Sequence, residues 1–352
     1  MNRPTSLVGR TRGRLVRAAM SAALTFGFVG GASAQLFVSS AVTDSIKQYN
    51  QTTGAYEGDF VPPGSGGLQF PQGLTFGPDR NLYVSSGTGV LRYDGTTGAS
   101  LGTFVPVGGG GLGSPSYLTF GSDNNLYVSD FATNSIRRYD STRAPAGSAG
   151  NPADAAFAVQ LFNPPPPADP RNTGITAPTG LAFGPDGLLY VSSSGTDSIK
   201  RIDSTGANVE GDNGNFILNS GLVSPFGLTF DSAGNLYVSS FGTDEVRRYD
   251  STGTFVQAYS DAALVGPDGV AIGSDGLLYV SSSGNDSVVR FLLDGTFAGA
   301  FVPPGEGGLV LPIGLTFRPQ AAQVPAPSVL LLLGAGLAAA GSVASRRKRA
   351  HA

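Results

Sequence analysis

Gln72, Ser116, Thr179, Phe226, Asp268 and Ile313 share one recurring place in the chain, just before or at the start of an apolar tetrad that repeats six times. Together they offer one carboxylate, two hydroxyls and an amide, flanked by two apolar side chains. A hydrolytic site needs a nucleophile or metal-bound water, a base within about 3 Å of the proton it takes, and donors for the developing charge. Asp268 can be that base only if burial raises its pKa. It is expected to stand without a second carboxylate within about 5 Å, hydrogen-bonded to backbone or water.

A second set is more even. Asp44, Asn134, Asp197, Asp244 and Asp286 recur in turns of the type Thr/Asn-Asp-Ser. Asp and Asn favour such turns because their side chains satisfy nearby backbone amides. Calcium is the competing ligand for this set, although single carboxylates in separate repeats supply too few oxygens for a cage of about six to eight. Asp130 is the one acid confined to a single repeat; it is expected either to join Ser116 or to hydrogen-bond a neighbouring repeat.

Other chemistries lack their residues. The chain has no cysteine, which excludes thiolate nucleophiles and Cys-based metal sites, and its one histidine, His351, is next to last. No G-x-S-x-G elbow is present, and without a core imidazole no Ser–His pair can form. No catalytic residue is therefore assigned.

The elements that position these residues are legible from the repeat. A pentapeptide occurs six times, as LFVSS at 36, LYVSS at 82, LYVSD at 126, and LYVSS at 189, 236 and 278, spaced 46, 44, 63, 47 and 42 residues apart. The long interval holds the Pro-rich NPPPPADP, which reads as a surface excursion. Before each pentapeptide after the first, and once more at the end, stands a tetrad such as GLTF; a Gly/Asp turn separates the two, and a strand such as SIKRID follows. With a looser fourth segment, each unit makes four short antiparallel strands in about 45 residues, one propeller blade. The first unit lacks a tetrad, and the last tetrad, 314–317, lacks a pentapeptide. Joined, they complete a six-bladed, all-β propeller closed by one C-terminal and three N-terminal strands, with no open sheet edge. The recurring Tyr83, Tyr127, Tyr190, Tyr237 and Tyr279 are expected to pack between blades. Arg92, Arg138, Arg201, Arg248 and Arg290 should lay their stems along the sheet, heads paired to rim acids.

The ends differ from the middle. Residues 1–34 carry five arginines and no acid, then an apolar stretch and Ala32-Ser33-Ala34, a signal-peptide layout with cleavage expected between Ala34 and Gln35. After the propeller, 35–320, the tail 321–352 has an apolar run over 329–344, expected to be a membrane-embedded helix, ending in Arg346-Arg347-Lys348-Arg349. Without these ends, nine of the 22 cations and none of the 25 acids are lost, leaving a charge near −12. Nucleic acid is an unsuitable partner for such a surface.

The order GLTF, GPDG, LYVSS, SIKRID resembles the NHL-type repeat and the propellers of the gluconolactonase and streptogramin-lyase families. Gluconolactonase-like propellers hold a divalent metal at the channel mouth, and Pro267-Asp268-Gly269 resembles one ligand position, which makes a lactonase centred on Asp268 the alternative function. The matching places hold Phe226 and Ile313, which cannot ligate. The streptogramin-lyase mechanism relies on a mouth histidine, which has no counterpart here. The tail, with Pro325-Ala326-Pro327, resembles the PEP-CTERM sorting signal of exopolysaccharide-producing Gram-negative bacteria, with Ala326 in place of the usual Glu. That resemblance implies an exosortase-like protease, transient inner-membrane anchoring and surface delivery. The resulting expectation is a non-catalytic binding or structural module of the envelope or exopolysaccharide matrix, whose channel face takes an envelope component or a protein.

Overall fold

The computed structural model describes residues 35–141, 157–160 and 174–319, apart from eight positions between 204 and 219. The expected signal peptide, the Pro-rich excursion, the sorting motif and the apolar helix lie outside the described residues. Six four-stranded antiparallel sheets form the ring. The innermost strands of blades I to V are Leu74–Phe76, Pro115–Phe120, Pro178–Phe183, Pro225–Phe230 and Pro267–Ile272. Blade VI takes its inner strand, Pro312–Phe317, from the C-terminal side and pairs it with Gln35–Ser40, then Ser45–Asn50 and Tyr56–Val61. Leu36 faces Phe317 and Val38 faces Leu315, the closure expected from the split unit.

Inner strands of blades II to VI begin earlier than the tetrads suggest, at a proline two residues upstream, and a register shift follows before regular pairing starts. Proline needs no ladder partner at a strand's first residue. The pentapeptide strands are buried at all five positions because adjoining blades cover both faces.

The pentapeptide tyrosine packs on the inner strand of the following blade, as expected. Tyr83 meets Phe120 with ring centroids 5.0 Å apart, Tyr190 meets Phe230 at 4.8 Å and Tyr279 meets Phe317 at 5.0 Å, all edge to face. Such pairs contribute about 0.5–1.5 kcal/mol each beyond area burial. Each hydroxyl reaches the turn aspartate of its own blade, as Tyr279 does to Asp275 at 2.7 Å and Tyr83 to Asp79 at 3.0 Å. The third-strand arginine lies opposite that tyrosine, and Arg92, Arg138 and Arg201 turn their heads to the same acid, as in Arg201 to Asp186 at 3.4 Å, whereas Arg248 donates to the Leu293 carbonyl and Arg290 lies over the Phe301 ring.

The two pentapeptide serines fasten blades together. Ser239 donates to the carbonyl of Asp268 in the next blade at 2.6 Å, and Ser281 donates likewise to Ile313. The second serine grips the connector leading into its own blade: Ser240 accepts from the Val223 N–H and donates to the Val223 carbonyl.

Candidate functional site

The mouth residues line up on six neighbouring inner strands. Ser116, Thr179, Phe226, Asp268 and Ile313 each stand second in their strand, and Gln72 stands two before Leu74. In blades I and III to VI the next residue is Gly73, Gly180, Gly227, Gly269 or Gly314. The adjacent blade demands it: a Cβ on Gly180 would lie 2.1 Å from the Phe226 carbonyl oxygen, and one on Gly269 2.4 Å from that of Ile313.

Blade II breaks this rule with Tyr117. Its phenol donates to Asp268 Oδ1 at 2.5 Å. Blades II and V are three steps apart in a ring of six, so the side chain crosses the channel and joins opposite walls. Asp268 is 5% exposed, and desolvation pushes its carboxyl up to about 7 despite the opposing effect of the Tyr117 bond. Burial likewise drives the Tyr117 phenol far above its ordinary value, reinforced by the Asp268 charge. No other hydrogen bond reaches the Asp268 carboxylate among the described residues, and Oδ2 is not sealed from solvent.

The expected bond from Asp268 to backbone or water is thus corrected: its partner is Tyr117. The repeat alignment could have found Tyr117 as the single side chain at a glycine position. The remaining mouth residues divide. Thr179 is fully buried and spends its hydroxyl on the Pro225 carbonyl at 2.8 Å. Ser116 is 4% exposed and Ile313 8%. Gln72, Tyr117 and Phe226 are half-open. Phe226 stacks at a tilt on Phe241, centroids 5.3 Å apart, and Phe241 is itself 40% exposed.

Asp130 does not join Ser116 at the channel. It replaces the second pentapeptide serine and accepts from the Gly113 and Ser114 N–H groups at 2.7 and 2.8 Å and from Arg137 Nε at 3.0 Å. Burial alone would raise its pKa, but the Ser114, Thr133, Gly113 and Arg137 hydrogen bonds outweigh it and hold the carboxyl low. The turn set is also absorbed. Asp44, Asn134, Asp197, Asp244 and Asp286 each accept, at 2.7 Å, one N–H of the connector leading to the next blade: Phe70, Ala177, Ser224, Gly266 and Leu311. The acceptors themselves adopt positive φ, from 49° to 56°, which Asp and Asn tolerate.

A divalent metal of the lactonase type does not fit this donor set. Phe226 and Ile313 hold matching places, one Asp268 oxygen is committed to Tyr117, and no group of three acids or histidines converges among the described residues.

Comparison with known proteins agrees with the fold. A chain from the crystal structure of a nidogen/laminin complex superposes with a TM-score of 0.64 at 18% identity, covering 82% of this chain and 100% of that one. A protein of unknown function from Bacteroides caccae gives 0.56 at 13% identity, covering 82% and 99%, and a streptogramin B lyase gives 0.55 at 14%, covering 81% and 87%. No curated protein matches. Residues 323–349 match the PEP-CTERM protein-sorting motif, a signal for export and cell-surface sorting in Gram-negative bacteria through an exosortase-like system. Residues 32–263, more than half of the chain, match the SMP-30/gluconolactonase/LRE-like region, and the chain belongs to that family.

Proposed function

We propose that this protein is an exported, surface-sorted propeller without catalytic activity, a binding or structural module of the cell envelope or exopolysaccharide matrix. The observation that carries this reading is the Tyr117–Asp268 bond. It ties the sole carboxylate of the mouth ring to the opposite wall, and among the described residues no group of three acids or histidines converges to hold a metal that could activate water. The sorting motif supports the surface location, and a domain charge near −12 suits a hydrated matrix. The expected route is general secretion with cleavage before Gln35, then tail processing.

Family membership favours a second reading, a metal-dependent lactonase centred on Asp268. Metal content and lactone turnover measured on the mature protein decide between them. We expect substoichiometric divalent metal and no turnover above buffer. Stoichiometric metal that is lost in Asp268→Ala, together with lactone hydrolysis, would establish the enzyme instead.

A further inference from the structure

Departures from a repeat mark the places where one blade does something its sisters do not. At the mouth, three departures fall on facing or adjacent inner strands. Asp268 is the only acid of the mouth ring, Tyr117 is the only side chain at a glycine position, and Phe226 is the only aromatic residue in the ring. Phe226 and Asp268 stand second on adjacent inner strands, whose backbones are so close that a Cβ on Gly227 would lie 2.5 Å from the Asp268 carbonyl oxygen. Phe241 continues the aromatic wall: its ring lies against Gly266, two residues before Asp268, within 3.1 Å of where a Cβ would stand.

The electrostatics of this corner run one way. The Asp244 carboxylate accepts the Gly266 N–H at 2.7 Å, which brings a second negative charge to the same connector. The ring of six mouth residues contains no lysine or arginine. One Asp268 oxygen is held by Tyr117, and the other has no partner among the described residues and keeps only slight contact with solvent, the residue being 5% exposed. A buried carboxylate with an unused oxygen gains most from a ligand that brings a positive charge and N–H donors. Aromatic faces beside a carboxylate add attraction for the same ligand through their quadrupoles.

We propose that Asp268, Tyr117 and the Phe226–Phe241 pair form a recognition site for an organic ammonium group. This deepens the reading of the protein as a binding module and rests on it. The ammonium donates to Asp268 Oδ2 while Tyr117 holds Oδ1 and fixes the carboxylate plane. Phe226 and Phe241 cover its apolar shoulder. An amino sugar and a lysine side chain carry the same group, and the choice between them is experimental.

The test titrates the intact propeller with glucosamine oligomers, with a lysine tripeptide and with the N-acetylated form of each, followed by calorimetry. Metal content and lactone turnover are measured on the same preparation, so that loss of the non-catalytic reading is seen separately. At least one free amine is expected to bind, and its acetylated counterpart at least tenfold more weakly. The tighter of the two amines identifies the source. Asp268→Asn, with a thermal melt to show that it folds, should weaken binding at least tenfold, and Phe226→Leu severalfold. Tyr117→Phe, which loses the bond that fixes the carboxylate plane, should weaken it severalfold. Should Asp268→Asn fail to fold, Phe226→Leu and the acetylation contrast decide alone. Equal affinity for acetylated ligands, unchanged affinity in both Asp268→Asn and Phe226→Leu, or no binding by either amine would overturn the assignment.

Discussion

Asp268 illustrates how one side chain's surroundings reset its chemistry. Its carboxyl titrates near 7 in the folded protein, against about 3.9 in an unfolded chain, so between these values the native state holds the extra proton. Its contribution to stability is therefore complete below about pH 4 and is lost as pH rises through about 7. Asp268→Asn keeps the acceptor for Tyr117 and removes the titration. Relative to wild type, the variant should gain about 2–3 kcal/mol between pH 5 and pH 8, read by urea denaturation at both values. A constant difference across that range would show that Asp268 is not desolvated. Tyr117→Phe acts on the same group in the opposite sense. The phenol bond lowers the Asp268 pKa, so its loss should move the carboxyl titration, followed by NMR, above about 7.

The blade was legible as an element because its signals are local. Alternating apolar runs, Gly/Asp turns and the split first and last units specify six sheets and their closure from spacing alone, and the sheets form accordingly. Tyrosines on the next blade were equally readable, and so were the turn acids of Arg92, Arg138 and Arg201, but not the Leu293 carbonyl that takes Arg248 or the Phe301 ring under Arg290. The partner of Tyr117 was not, since a bond between residues 151 apart has no periodic signature, although the side chain itself breaks the glycine repeat. Nor were the serines, whose roles depend on which carbonyl the next blade presents. Ser192 shows the difference: its hydroxyl has no hydrogen-bond partner, and Thr179 makes the cross-blade bond in its stead. Ser239→Ala should consequently cost about 1–2 kcal/mol, whereas Ser192→Ala should cost less than about 0.5 kcal/mol or stabilise. Equal losses in denaturant midpoint would refute the clamp.

As a whole molecule, the ring depends on a strand that arrives last. Deleting residues 312–319 removes the inner strand of blade VI and exposes the edge at Gln35–Ser40. The truncated ring should melt at least 10 °C lower and associate through that edge, whereas a chain ending after residue 319 should melt like the intact propeller. Differential scanning calorimetry with light scattering distinguishes the two. Identical melting of the shorter form would mean that closure contributes little to the fold.

The direction of that closing strand also orients the molecule. It starts at Pro312 beside the mouth residue Ile313 and runs to Phe317 at the other end of the channel, with Arg318 and Pro319 beyond. The sorting motif begins at residue 323, six residues past Phe317, a span of at most about 22 Å even fully extended. On the proposed surface role, an attachment through the tail would therefore act at the end of the channel opposite the mouth. The mouth, with Asp268, Phe226 and Phe241, would then face away from that attachment.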